Sequence, residues 1–148
     1  MDRVKIDNFV RENPDLEFPS ITPLGAVETE KIRQMLASRL EIEDPTGLAL
    51  VNCVDSLGRP VVGVAADQHG FSVLEVLASL GLSFSEYVYI NWYRYDQIDA
   101  VRLQDLDKHF SDFWYPSVDD MDLFDTSLKW ILSVSHFGQL KLLQFIEK

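Results

Sequence analysis

Between Tyr87 and Tyr95 the chain reads Tyr-Val-Tyr-Ile-Asn-Trp-Tyr-Arg-Tyr. The alternation has period two. A helix would scatter these residues around its axis, whereas a strand sends alternate side chains to opposite faces. Tyr87, Tyr89, Asn91, Tyr93 and Tyr95 then face one way, and Val88, Ile90, Trp92 and Arg94 the other. A strand this rich in aromatic and β-branched residues needs partners, so the fold must contain a sheet.

The remaining segments supply candidates for the other elements. Ile32, Met35, Leu36 and Leu40 recur at helical spacing, which predicts a helix over about 27 to 41, stopped by Asp44-Pro45-Thr46-Gly47. Valine-rich runs at about 48 to 54 and 60 to 66 flank Asp55-Ser-Leu-Gly-Arg59 and read as a hairpin covered on both faces. Ser72-Val-Leu-Glu75 fits a capping box and opens a second helix, with Val73, Val76, Leu77 and Leu80 as its apolar stripe and Gly81 as its left-handed C-cap. Residues 98 to 103 continue as strand, and Leu103, Leu106, Phe110 and Phe113 mark one face of a third helix over about 103 to 113.

The C-terminus reads as a hairpin, with Leu128 to Ser135 and Gln139 to Ile146 around His136-Phe137-Gly138. A two-residue turn at Phe137-Gly138 would oppose Leu132 with Leu143 and Trp130 with Phe145; a bulge at Gly138 would shift that register. Prolines 14, 19 and 23 break the irregular entry of residues 1 to 25, whose short amphipathic start places Val4, Phe9 and Val10 on one apolar face of a helical turn or two. The order predicts an α+β fold: an antiparallel or mixed sheet, about three helices packed mainly on one side, and a C-terminal β-hairpin. With 148 residues and no linker, the expectation is one domain over 1-148.

Charge narrows the partners. The formal net charge is −11 with a pI near 4.5, which disfavours nucleic acid and anionic membrane surfaces. Asp105, Asp107, Asp112, Asp119, Asp120, Asp122 and Asp125 crowd one short segment against the single base Lys108, a field that steers cationic partners. No run of about 18 uncharged apolar residues exists, and charges interrupt the N-terminus, so neither a membrane span nor a signal peptide is expected and the cytoplasm is the expected location. Cys53 stands alone in an apolar run and reads as a buried core thiol.

Motifs for chemistry are missing. Asp119, Asp120, Asp122 and Asp125 offer hard oxygens, yet their spacing does not fit an EF-hand, and His69, His109 and His136 lie too far apart for a zinc pattern. Glycine-rich phosphate loops and a nucleophile elbow are absent too. The expectation is therefore no metal and no cofactor.

Phe113-Trp-Tyr-Pro-Ser-Val-Asp-Asp120, then Phe124-Asp-Thr-Ser-Leu-Lys-Trp130 and His136, is the most distinctive stretch. It resembles the C-terminal pattern of small, mostly uncharacterised bacterial proteins, some of which look like immunity proteins of toxin–immunity systems; the resemblance covers about the last 35 residues. The resemblance and the charge sign together point to a non-catalytic acidic binding module, an immunity or inhibitor protein for a basic partner. Asp112, Trp114, Tyr115, Asp119, Asp120, Asp122, Asp125 and His136 are the candidate binding residues, with Phe113, Trp114 and Tyr115 as aromatic anchors beside an acidic rim. The alternatives are a small-molecule enzyme using a His/Asp acid–base pair and a structural subunit of a larger assembly. A convex acidic patch around residues 112 to 125 would favour binding, and a pocket with convergent polar groups would favour catalysis.

Overall fold

A computed structural model describes residues 1–43 and 46–146. It contains α1 (Arg3–Glu12), β1 (Ile21–Pro23), α2 (Ala26–Leu40), α3 (Gly47–Leu57), β2 (Arg59–Pro60), α4 (Val73–Ser79), β3 (Tyr87–Tyr93), β4 (Gln97–Arg102), α5 (Leu103–Lys108), α6 (Phe110–Phe113), β5 (Met121–Phe124), β6 (Trp130–Val134) and β7 (Leu140–Gln144). The seven strands form one sheet in the order β1-β4-β3-β5-β6-β7-β2, and every neighbouring pair is antiparallel. The fold is α+β, as the sequence predicts. None of the described helices is long and apolar enough to cross a membrane.

Successive strand residues point to opposite faces, and both faces are apolar. Val88, Ile90, Val101, Leu123, Leu132 and Val134 pack with Val73, Val76 and Leu77 of α4 and with Leu103, Leu106, Phe110 and Phe113 of α5 and α6. On the other face Ile98, Phe124 and Ile131 pack with Ile32, Leu36 and Ala37 of α2 and with Leu50 and Val54 of α3. Helices therefore cover both sides of the sheet. The central strands require this, since β6 buries Ile131 on one face and Leu132 on the other.

Local signals explain several boundaries. The Ser72 hydroxyl accepts from Glu75 N at 3.2 Å, and Gly81 has φ +69°, so α4 begins and ends where the capping signals place it. Leu103, Leu106, Phe110 and Phe113 are all buried, but the expected third helix breaks at His109 into α5 and α6. α2 ends at Leu40, where Glu41 adopts the left-handed conformation; the expected Asp44-Pro45 stop lies outside the described residues.

Three expectations are corrected. The run from Leu48 to Val54 is helix, not strand. Thr46 caps it by accepting from Ala49 N at 3.2 Å, and Leu50 and Val54, one turn apart, are its buried residues. A short apolar run without alternation fits either element, and the cap decides it. Cys53 is consequently half-buried on α3 rather than a core thiol. The partner expected at 60 to 66 shrinks to β2, which pairs with β7 instead.

The lead-in is ordered as well. α1 is a regular helix that buries Lys5 and Phe9 while Val4 and Val10 stay exposed, and β1 pairs with β4. At the C-terminal hairpin Leu132 opposes Leu142 and Trp130 opposes Gln144. Ser135 N bonds to Gln139 O at 2.9 Å, and Gly138 has φ +83°, so the loop holds three residues and the register slips by one.

Candidate functional site

The sheet register builds one polar row on the face that α2 and α3 cover. Asn91 pairs with Asp122, Asp122 with Ser133, and Ser133 with Lys141 across β3, β5, β6 and β7. Antiparallel partners share a face, so these four side chains lie side by side. They sit beyond the apolar cluster under α2 and α3 and border an open cleft of about 600 Å³. Leu48, Val51, Asn52 and Asp55 of α3 form one wall; residues 92–94, residues 118–120, and Ser135, His136 and Gln139 form the rest. Gly47 lets α3 come this close, because a Cβ there would lie 2.1 Å from Arg94 O.

Asp122 is the centre of the row. Its Oδ1 accepts from Ser133 Oγ at 2.6 Å; its Oδ2 accepts from Tyr95 OH at 2.7 Å and Asn91 Nδ2 at 3.3 Å. Burial pushes its pKa above the usual carboxylate range, the nearby charge of Asp120 adds to this, and the three hydrogen bonds oppose it. Tyr95 is buried, and desolvation first, then the Asp122 charge, push its hydroxyl well above its ordinary value. Asn91 holds the turn that delivers Tyr95, its Oδ1 accepting from Tyr95 N at 2.9 Å and Tyr93 N at 3.3 Å. A bulge between Asn91 and Tyr93 and positive φ at Arg94 and Tyr95 end the tyrosine alternation there.

On the rim, Asp120 Oδ1 accepts from His136 N at 2.7 Å and lies 2.9 Å from His136 Nδ1. Ser117 N bonds to His136 O at 2.7 Å and ties the two loops together. The His136 ring packs on Phe137 with centroids 4.1 Å apart.

The expected binding residues do not form one patch. Asp120, Asp122 and His136 meet at the cleft. Asp119 also lines it, but its carboxylate is paired with the buried Lys5 ammonium and accepts from Tyr115 N at 2.7 Å. Desolvation lowers the Lys5 pKa, against the hydrogen bond and charge of Asp119. The Lys5 ammonium also donates to Phe113 O and lies 4.4 Å from the Trp92 ring centroid and 4.8 Å from that of Tyr115.

Asp112 lies near His109, 3.6 Å from its Nδ1. Asp125 is buried; it accepts from Ser127 N at 3.0 Å in an Asx-type turn, and from Ser85 N and Oγ, each at 3.3 Å.

Trp114 is corrected from anchor to core residue. It is 2% exposed, and its indole N–H donates to Asp119 O at 2.9 Å. Phe113 is likewise buried, while Tyr115 is half-buried with its hydroxyl accepting from Asn8 Nδ2 at 3.2 Å. Sequence reasoning missed Asn91, Tyr95, Ser133 and Lys141 as a group. The one available signal was Asn91, a polar interruption in an otherwise aromatic row.

Among the described residues no group of three or more His, Cys, Asp or Glu side chains is placed to hold a metal ion. No protein family, curated protein or solved structure matches the chain.

Proposed function

We propose that the cleft and its rim bind a protein partner with a basic surface, as an immunity or inhibitor protein would. The observation that carries this reading is the composition of the rim. Val118 and Phe137 are 71% and 78% exposed; Val118 lines the cleft with Asp120, whose side chain is 70% exposed, and Phe137 packs on the His136 ring that Asp120 holds. Large apolar groups beside an accessible carboxylate make a workable contact: the apolar groups supply affinity and the acid orients a cationic partner. The net charge of −11 supplies the longer-range attraction. Phe137 and Val118 take the anchoring role that the sequence pattern suggests for Phe113 and Trp114.

The test is affinity capture from the source cell at low and physiological salt, followed by binding kinetics with the captured protein. The expected partner is basic. Asp120→Asn should slow association several-fold and weaken its salt dependence, and Phe137→Ser should speed dissociation about tenfold. An acidic partner, or kinetics indifferent to both substitutions, overturns the reading.

A second reading, acid–base chemistry on a small molecule, is favoured by the form of the site, a cleft with convergent polar groups rather than a convex acidic patch, and by the 2.9 Å contact between His136 Nδ1 and Asp120 Oδ1 at its edge. A carboxylate on Nδ1 fixes the imidazole tautomer and leaves Nε2 to exchange a proton. Its signature is a substrate that perturbs the resonances of His136 and turns over in the wild type but not in His136→Gln.

A further inference from the structure

Asp122 has hydrogen bonds but, among the described residues, no counter-charge. Its three donors, the Ser133 and Tyr95 hydroxyls and the Asn91 amide, are neutral. Among the described residues no cation pairs with it. Lys141, in the same cross-strand row, is held by Asp55 at 3.0 Å, and Lys5 by Asp119. Arg94 lies over the Tyr93 ring, its Cζ 4.9 Å from the centroid.

A carboxylate withdrawn from bulk water without an opposite charge is costly, and neutral donors recover only part of that cost. This carboxyl is nonetheless held in place by three donors from two segments, Asn91 and Tyr95 at the end of β3 and in the turn after it, and Ser133 in β6. It borders a cleft of about 600 Å³, ample for one long side chain. Oδ1 accepts a single bond, from Ser133, which leaves it an acceptor position.

We propose that the floor of the cleft is a cation subsite, in which Asp122 pairs with the ammonium or guanidinium group of a side chain that the basic partner inserts. This rests on the partner reading above and deepens it. The rim would then orient the partner, while the floor would select a lysine or arginine at one position. The neutral donors keep the carboxylate aimed without competing for its charge, and a desolvated ion pair closed off from water is the kind that governs dissociation.

The probes are n-butylammonium and ethylguanidinium chloride, titrated into isotopically labelled protein, with sodium chloride at matched ionic strength and n-butanol as controls. Saturable shifts are expected at the amides of residues 91–94, 122 and 133 and at the Asp122 carboxyl carbon. Neither control should produce them, and the cations should bind at least tenfold more weakly to Asp122→Asn. Asparagine is isosteric, and the carboxyl carbon reports on the wild type, so the outcome does not depend on the variant alone. Equal binding by Asp122→Asn, or shifts that sodium chloride reproduces, overturns the subsite. A basic partner that binds wild type and Asp122→Asn equally overturns the subsite and leaves the partner reading standing. Cations that saturate Asp122 while no basic partner is captured support the subsite and overturn that reading.

Discussion

The Tyr95 hydroxyl donates to Asp122 Oδ2 at 2.7 Å and so joins the β3–β4 turn to the neighbouring strand β5. Tyr95 is buried and Asp122 is half-buried at the cleft, and each supplies what the other lacks. Tyr95→Phe keeps the ring and removes the donor. It should cost about 1–3 kcal/mol, because the carboxyl loses one of three partners in a site where water does not replace it freely. Urea unfolding at neutral pH measures this, and a loss within error of zero would show that the hydroxyl carries no net energy.

The raised pKa of Asp122 fixes the sign of a pH effect. The folded state binds this proton more tightly than the unfolded chain. Its contribution to stability is therefore largest below the unfolded carboxylate pKa and declines as pH rises from that value through the higher folded one. Asp122→Asn cannot ionise and escapes the decline. The stability difference between wild type and Asp122→Asn should shift in favour of the variant between pH 4 and pH 7. A difference constant over that range contradicts the assignment. Paired urea unfolding curves at the two pH values provide the measurement.

Lys5 holds α1 against Asp119 and Phe113 O from a position only 3% exposed. Lys5→Ala strands a mostly buried carboxylate and should cost about 3–5 kcal/mol. Lys5→Met with Asp119→Asn removes both charges and should recover part of that loss. A cycle of Lys5→Met, Asp119→Asn and the double variant in urea checks it; additive losses would mean that the pair is not coupled.

Trp130 and Trp114 are both in the core, with indole N–H groups bonded to Ser83 O at 2.9 Å and Asp119 O at 2.9 Å. Each substitution to alanine should cost about 3–5 kcal/mol in urea unfolding. For Trp114 the test also separates core from surface: an interface anchor would weaken partner binding and leave stability nearly unchanged.

Gly47→Ala should destabilise the chain and loosen α3, since the new Cβ would meet Arg94 O at 2.1 Å. Amide hydrogen exchange across residues 47–57 should accelerate relative to that in β3 and β6. Unchanged exchange would mean that the close approach is not needed to seat α3 beside the cleft.

Features that depend on neighbours along the chain are written into the order of the residues. The period of Tyr87–Tyr93 makes a strand, Ser72 and Gly81 bound α4, and the spacing of Ile32 and Leu36 sets the buried face of α2. Asp125 and Ser127 write their own turn, because the donors an Asx side chain needs lie within two residues. The run 48–54 was not legible from its apolar pattern, because a short continuous run suits a buried strand or a buried helix equally. Tertiary structure alone decided which aspartates would be free. Asp119 and Asp120 are adjacent in sequence, yet one is neutralised by Lys5 and the other stands at the rim with His136. It also decided the polar row, since Asn91, Asp122, Ser133 and Lys141 come from four strands, and the three-residue loop at Gly138 sets the register that puts Lys141 opposite Ser133. Register is a long-range quantity: shifting one strand by a single residue would turn Asp122 or Ser133 to the opposite face, and local spacing carries no record of that choice.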